Sequence, residues 1–228
     1  MQKIGKAIIP ALLALFSFVS RIHGASDEKT IILTFDDGPN PFVLKNLLPL
    51  LKEHDAHASF FVIGGVAAYE RDWLIVLAEL GHRIENHSWG HENMKKTFAK
   101  NGAHAVMQSI EKTAHVIEDA VSRRPKYFRP PFWEITREIE IIVGENGYEA
   151  MKLGSPDINS LDYEDVQKKR PASALVTRVK NLVAAREKKG MFRHVLVFHE
   201  LPLTVRALGE LFPYFKKQGY RFSALEDY

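Results

Sequence analysis

Five polar clusters in this sequence stand where apolar runs end. The first is Asp36-Asp37, which closes the β-branched run from Thr30 to Phe35 and is followed by Gly38-Pro39-Asn40-Pro41, a turn that no strand continues through. Adjacent carboxylates repel each other, so a metal ion or an arginine must offset them. Neighbouring strand residues point to opposite faces, but the alternation breaks where strand gives way to turn, so both acids can face one pocket. The second cluster is His87-Ser88-Trp89-Gly90-His91. Imidazoles at i and i+4 share a face if the segment is one helical turn, and can then reach a single metal ion. Zinc proteases use this spacing with a glutamate beside the first histidine as base. Here Ser88 holds that position, so a third ligand and a base must come from elsewhere, and the Asp36-Asp37 turn can supply both. Arg129, in Phe128-Arg129-Pro130-Pro131-Phe132-Trp133, is a cation stiffened by two prolines and suited to orienting a carboxylate. Asp157 and Asp162 lie in the polar stretch from Gly154 to Tyr163, and His199 ends the run Val195-Leu196-Val197-Phe198. Each cluster alone reads as a solvated turn or a satisfied core residue. Their regular placement after apolar runs implies one shared pocket.

The elements that must position these residues alternate in type. Strands are expected at Thr30–Phe35, Ala58–Ile63, His82–Asn86, Tyr127-Phe128, Tyr148–Leu153, Val195–Phe198 and Tyr220–Phe222. Helices are expected at Pro41–Glu53 with a kink at Pro49, and at Val66–Leu80, Phe98–Val121, Ile135–Asn146, Pro171–Lys189 and Thr204–Gln218. The stretch 154–163 reads as a loop. This alternation predicts an α/β fold, a short parallel (β/α) barrel of about seven strands, with a doubly wound open sheet as the alternative. In a parallel barrel, residues at the strand ends gather on one face.

Composition narrows the chemistry. The chain has 228 residues, 46% of them hydrophobic, enough for one domain with a sizeable core. It has no cysteine, so a metal must be held by His, Asp or Glu. Lys3 and Lys6 precede an apolar run from Ala7 to Val19, the layout of a secretory signal peptide over residues 1–24 with the domain at 25–228. That run is shorter than the ~20 residues of a membrane-spanning helix. An uncleaved membrane anchor is the alternative, and export is the expectation. Without Lys3, Lys6 and Arg21 the basic residues fall from 31 to match the 28 acidic ones, so no excess of positive charge argues for nucleic acid.

These residues resemble the polysaccharide deacetylase family, the NodB-homology domain of carbohydrate esterase family four. Thr34-Phe35-Asp36-Asp37-Gly38-Pro39 is similar to its first motif, and His87-Ser88-Trp89-Gly90-His91 to its second. Arg129-Pro130-Pro131-Phe132 is similar to the third and His199 to the fifth. The resemblance implies a distorted (β/α)7 barrel. It implies that Asp37, His87 and His91 hold a divalent metal, zinc first, with cobalt, nickel or manganese as alternatives. Asp36 becomes the general base with Arg129 as its tether. His199 becomes the general acid, and the backbone N–H of Phe132 contributes to the oxyanion site. The fourth motif departs from the family pattern. Asp157 is taken as the partner of His199, with Asn159 competing for that register and Asp162 followed by Tyr163 rather than tryptophan. Trp89, Trp133, Phe132 and Tyr163 are candidates to stack on sugar rings, whereas Trp73 reads as core.

The implied activity is hydrolysis of the acetamide of an N-acetylated glycan, with peptidoglycan first and chitin-like oligomers or an exopolysaccharide next. A xylan O-acetyl esterase and a non-catalytic glycan-binding protein of the same fold are the competing expectations. A membrane enters only through the amino-terminal segment.

Overall fold

A computed structural model of the chain describes residues 29–152, 154 and 157–225. The expected signal peptide lies outside the described residues. Parallel strands dominate. β1 (Thr30–Gly38) is central, flanked by β2 (Ala58–Val62) and β7 (Arg193–His199). The sheet continues through β3 (Arg83–Asn86), β4 (Tyr127–Phe128) and β5 (Glu149–Ala150) on one side and β6 (Asp157–Asn159) on the other. β8 (Arg221–Ser223) pairs with the start of β1. The order is β5-β4-β3-β2-β1-β7-β6, and every pairing is parallel. Among the described residues β5 and β6 do not pair with each other, so the expected barrel is a curled half-barrel left open between them.

β1 is buried on both faces, and its alternation sorts the molecule into layers. Leu33 and Phe35 pack outward with Phe60, Phe198, Leu44, Leu208 and Phe212, between the sheet and its helices. Ile32 packs inward with Phe61, Tyr127, Met151, Val195 and Val197. By the same alternation Thr34 and Asp36 face inward too. Each large side chain so buried contributes about 1.5–3 kcal/mol. The outer layer is α1 (Pro41–Glu53), α2 (Gly64–Tyr69), α3 (Arg71–Glu79), α4 (Met94–Val121), α5 (Arg137–Glu145), α7 (Ala172–Glu187) and α8 (Pro202–Lys217), with the short α6 (Asp162–Gln167) at the rim.

α1 spans Pro41–Glu53 as expected, with Pro49 inside it. Several other expected boundaries are corrected. The single helix expected over Val66–Leu80 is two, separated at Glu70. α4 begins before Phe98 and is interrupted at Gly102, whose φ of 76° and ψ of −177° leave the helical region. The stretch expected as a loop contains β6 and opens α6. Trp73 is partly buried and packs against the main core, as expected.

Candidate active site

The carboxyl-terminal ends of β1, β2, β3, β4 and β7 lie along one edge of the sheet, where the polar clusters gather. Asp36 pairs in register with His199 on β7 and with Phe61 on β2. Immediately afterwards the β1–β2 register slips between Asp36 and Gly38, and Asp37 takes a φ of 70°. This bulge lets two adjacent acids border one cleft.

Asp36 is buried against Arg129, whose Nη1 lies 2.5 Å from Asp36 Oδ1 and donates to Thr34 Oγ1 at 3.0 Å. Arg129 is fully buried, with its guanidinium 3.9 Å from the centre of the Phe61 ring. β4 carries it there. Glu85 on β3 accepts from the N–H groups of Lys126 and Tyr127, and Arg129 N–H donates to Asn86 O at 3.0 Å.

His87 and His91 converge without forming a helical turn. The segment between them is irregular, with φ of 69° at Ser88 and 58° at His91. Its course is set by backbone donation from Gly64 to Ser88 O and from Gly65 to Trp89 O, both 2.8 Å, and by Trp89 N–H donating to Ser109 Oγ. The Nε2 atoms of His87 and His91 lie 3.4 and 3.2 Å from Asp37 Oδ1. One donor atom from each of the three residues lies within 4.8 Å of the others. Ligands ~2.0–2.2 Å from a shared ion stand about 3–3.5 Å apart, so the spacing fits a divalent cation, and the imidazole–carboxylate set suits zinc-like ions. His87 Nδ1 lies 2.7 Å from Arg129 O, which as acceptor places the ring proton on Nδ1 and leaves the Nε2 lone pair facing Asp37. Burial opposes the charge on Asp37, but in the absence of an ion, rings that also carry a proton on Nε2 donate to it and hold its carboxyl well below the usual range.

His199 is held by Asp162, not by Asp157. Asp162 Oδ1 lies 2.7 Å from His199 Nδ1, and its Oδ2 accepts from His199 N–H at 2.8 Å and from Thr204 Oγ1 at 2.6 Å. The Tyr163 N–H also donates to Asp162, at 2.9 Å. Burial disfavours the imidazolium, but Asp162 and the site carboxylates push the His199 pKa up to about 9. Asp157 lies on β6 beside Val195, too early in the strand to meet His199, because β6 pairs with β7 as Asn159 opposite Val197. Asp157 is buried and its carboxyl is pushed up to about 6, chiefly by burial against the pull of Arg129 and Arg186. Asn159 borders the cleft and accepts from Leu161 N–H. The cluster of acids in the first turn of α6, Asp162, Glu164 and Asp165, was the available signal for this helix.

The cleft encloses about 410 Å³ and is bordered by Asp36, Asp37, His87, His91 and His199, with Pro130, Phe132 and Trp133 on one side and Asn159, Tyr163 and Gln167 on the other. Phe132 is 60% exposed, has a φ of 60°, and meets the His91 ring edge-on. Tyr163 meets the His199 ring edge-on. Trp89 does not border the cleft. It packs against Gly64 and Gly65 with Lys112 Nζ 3.6 Å from its ring centre, so its assignment to sugar binding is corrected to a packing role. Thr34, Thr204 and Gln167 join the site without having been given a role in it from the sequence. A larger, shallower depression on α7, bordered by Arg170, Ser173, Thr177 and Arg178, holds none of the clustered site residues.

Known proteins share this arrangement of chain. PdaC of Bacillus subtilis, described as a peptidoglycan-N-acetylmuramic acid deacetylase, is 30% identical over 195 residues, covering 86% of this chain and 38% of that protein. The chain thus spans well under half of that relative. Its solved structure superposes with a TM-score of 0.73, over 89% of this chain and 90% of the solved one. A peptidoglycan-N-acetylglucosamine deacetylase of Bacillus cereus is 30% identical, with 89% of each chain covered. A Bacillus anthracis pseudoenzyme of the CE4 family shares the fold at 22% identity and a TM-score of 0.75, over 89% of this chain and 66% of that one. The family model described as polysaccharide deacetylase matches residues 23–151, which contain Asp36, Asp37, His87, His91 and Arg129. With those residues converging at one edge of a parallel half-barrel, the chain belongs to the polysaccharide deacetylase family.

Proposed function

We propose that this chain is a metal-dependent deacetylase that hydrolyses the acetamide of an N-acetylated glycan, peptidoglycan first, and releases acetate. One observation carries the reading. A three-donor set, a carboxylate held by a buried arginine, and an imidazole held by a buried aspartate all border the same cleft.

The donor set Asp37, His87 and His91 would hold a divalent ion, which supplies Lewis acidity toward a carbonyl oxygen and a bound water. The remaining groups manage protons. Asp36 faces the cleft and accepts the proton of the attacking water, while Arg129 orients it. His199 is protonated at neutral pH and delivers its proton to the departing nitrogen, which cannot leave as an anion. Asp162 holds the imidazole so that Nε2 faces the reaction. The Phe132 N–H is the backbone donor assigned to the developing negative charge. The acetyl carbon gains the water oxygen and loses the nitrogen, and the products are acetate and an amine. Phe132, Trp133 and Tyr163 offer apolar faces to sugar rings.

The preference for peptidoglycan rests on the relatives and on export, which the amino-terminal layout of Lys3, Lys6 and the apolar run supports. A glycan-binding protein without turnover is the second reading, since a pseudoenzyme shares the fold. Acetate release from peptidoglycan, chitin oligomers and acetylated xylan, before and after chelation, decides between them. Asp36→Asn should abolish release while zinc binding persists. Full activity in that variant would refute the base assignment.

A further inference from the structure

Glu200 follows His199 and is 4% exposed, in a neighbourhood that already holds Asp36 and Asp37. A buried carboxyl group is costly, and packing alone calls for an apolar side chain there. Its contacts show what it does. Glu200 Oε2 accepts from the Asn40 N–H at 2.6 Å, and the Glu200 N–H reaches Asp36 O at 3.3 Å. Glu200 Oε1 occupies the space beside Gly38, where an added Cβ would fall 1.8 Å from it. Asn40 is the residue before α1, and its carbonyl accepts from Val43 and Leu44. The carboxyl group therefore ties together the end of β7, the Gly38–Asn40 turn and the residue that leads into α1.

Between these ties lies Asp37. Its φ of 70° is a conformation that a residue other than glycine holds only when the surroundings fix it. On the β2 side the turn is fixed by Ile63 N–H donating to Gly38 O at 2.9 Å. On the β7 side the contact is Glu200.

We infer that Glu200 is a positioning residue for the metal centre: it clamps the Gly38–Asn40 turn and thereby keeps the Asp37 carboxylate turned toward His87 and His91. The inference rests on the metal-centre reading above. It concerns the second layer of that centre, where loss of a supporting contact typically lowers metal affinity 10–100-fold.

The test is zinc affinity of the metal-stripped full chain, measured by competition with a chromophoric chelator, together with amide exchange at Asn40. Glu200→Ala should weaken zinc binding tenfold or more and accelerate exchange of the Asn40 amide. Glu200→Gln, whose side-chain oxygen can still accept from Asn40, should stay within about threefold of the unsubstituted chain. Gly38→Ala should weaken binding because its Cβ displaces Oε1, and adding Glu200→Ala to it should cost little more, the signature of a shared mechanism. The Gln and Gly38 variants keep the test open if Glu200→Ala fails to fold. Unchanged zinc affinity in Glu200→Ala, or a loss in Glu200→Gln equal to that in Glu200→Ala, would overturn the clamp while leaving the metal centre standing. Failure of the unsubstituted chain to bind zinc would overturn the metal centre and the clamp together.

Discussion

Asp157 and Asp162 are five positions apart in one polar stretch, yet only Asp162 reaches the imidazole of His199. Side-chain type could not separate them. The separation comes from β6, which fixes Asp157 beside Val195 and lets the chain travel two more residues past Asn159 before α6 turns Asp162 back. Asp162→Asn should therefore lower kcat on the order of 100-fold. The same change should move the alkaline limb of the pH–rate profile downward, since Asp162 is what lifts the His199 proton to about 9. Asp157→Asn should leave that limb in place. Measuring acetate release from pH 6 to about 10 tests both, and an unmoved alkaline limb in Asp162→Asn would refute the pairing. By contrast, His87, His91 and the Asp36-Asp37 turn were legible as a joint pattern, because each follows an apolar run; the family resemblance then chose Asp37 over Asp36 as the ligand.

At the scale of elements, the sequence located most of the strands that carry the site but not how the connection bearing the two histidines is built. The i, i+4 spacing of His87 and His91 would bring them together on one helical turn. The segment is instead an irregular loop hung on α2 and α4 through Gly64, Gly65 and Ser109. The histidines meet because the loop is anchored, which helical spacing does not describe. Gly64 is the tight point, where a Cβ would fall 2.2 Å from Thr113 Oγ1 and 2.8 Å from the Trp89 ring. Gly64→Ala should cost about 1–3 kcal/mol in urea unfolding and weaken metal binding as the loop shifts. Trp89→Phe should change stability without changing KM, because Trp89 faces α2 and α4 rather than the cleft. Tyr163→Ala, on the rim, should raise KM for oligosaccharides several-fold with a smaller effect on stability. Equal effects of the two aromatic substitutions on KM would contradict this division.

For the whole molecule, two buried histidines away from the site contribute to acid sensitivity. His82 accepts from Ala58 N–H through Nδ1, a role only the neutral ring can play, and burial with the nearby His57 lowers its pKa to about 4. His194 is fully buried against Tyr220 and is lowered to about 4, chiefly by burial. Both groups take up protons more readily in the unfolded chain, near the ordinary value of 6.5. Their stabilising contribution is therefore complete above pH 6.5 and is lost as pH falls toward 4, on the order of 3 kcal/mol for each. Glu85, Asp157 and Glu200, raised to about 7, 6 and 8 chiefly by burial, act in the opposite direction over this range, so the test is a difference: the advantage in denaturant midpoint of the unsubstituted chain over His82→Gln should shrink from pH 7 to pH 4.5. The proposed metal centre predicts a second dependence. A cation at one hundred times its Kd stabilises by about 2.7 kcal/mol, so chelation should lower Tm, and Asp37→Ala should remove that difference.

Residue order alone determined the α/β alternation and the parallel sheet, and it marked His87, His91 and the Asp36-Asp37 pair as candidate metal donors; the choice of Asp37 over Asp36 came from the family resemblance. The alternation and the candidate donors follow from hydrophobic period and from side-chain chemistry at strand ends, both local properties of the chain. The tertiary structure decided that the barrel is open between β5 and β6, that Asp162 holds His199, that Trp89 belongs to the packing, and that Glu200 closes the turn beneath Asp37. Each of those depends on which strand lies beside which and in what register. A register is settled between segments far apart in the chain, so neither segment carries it alone.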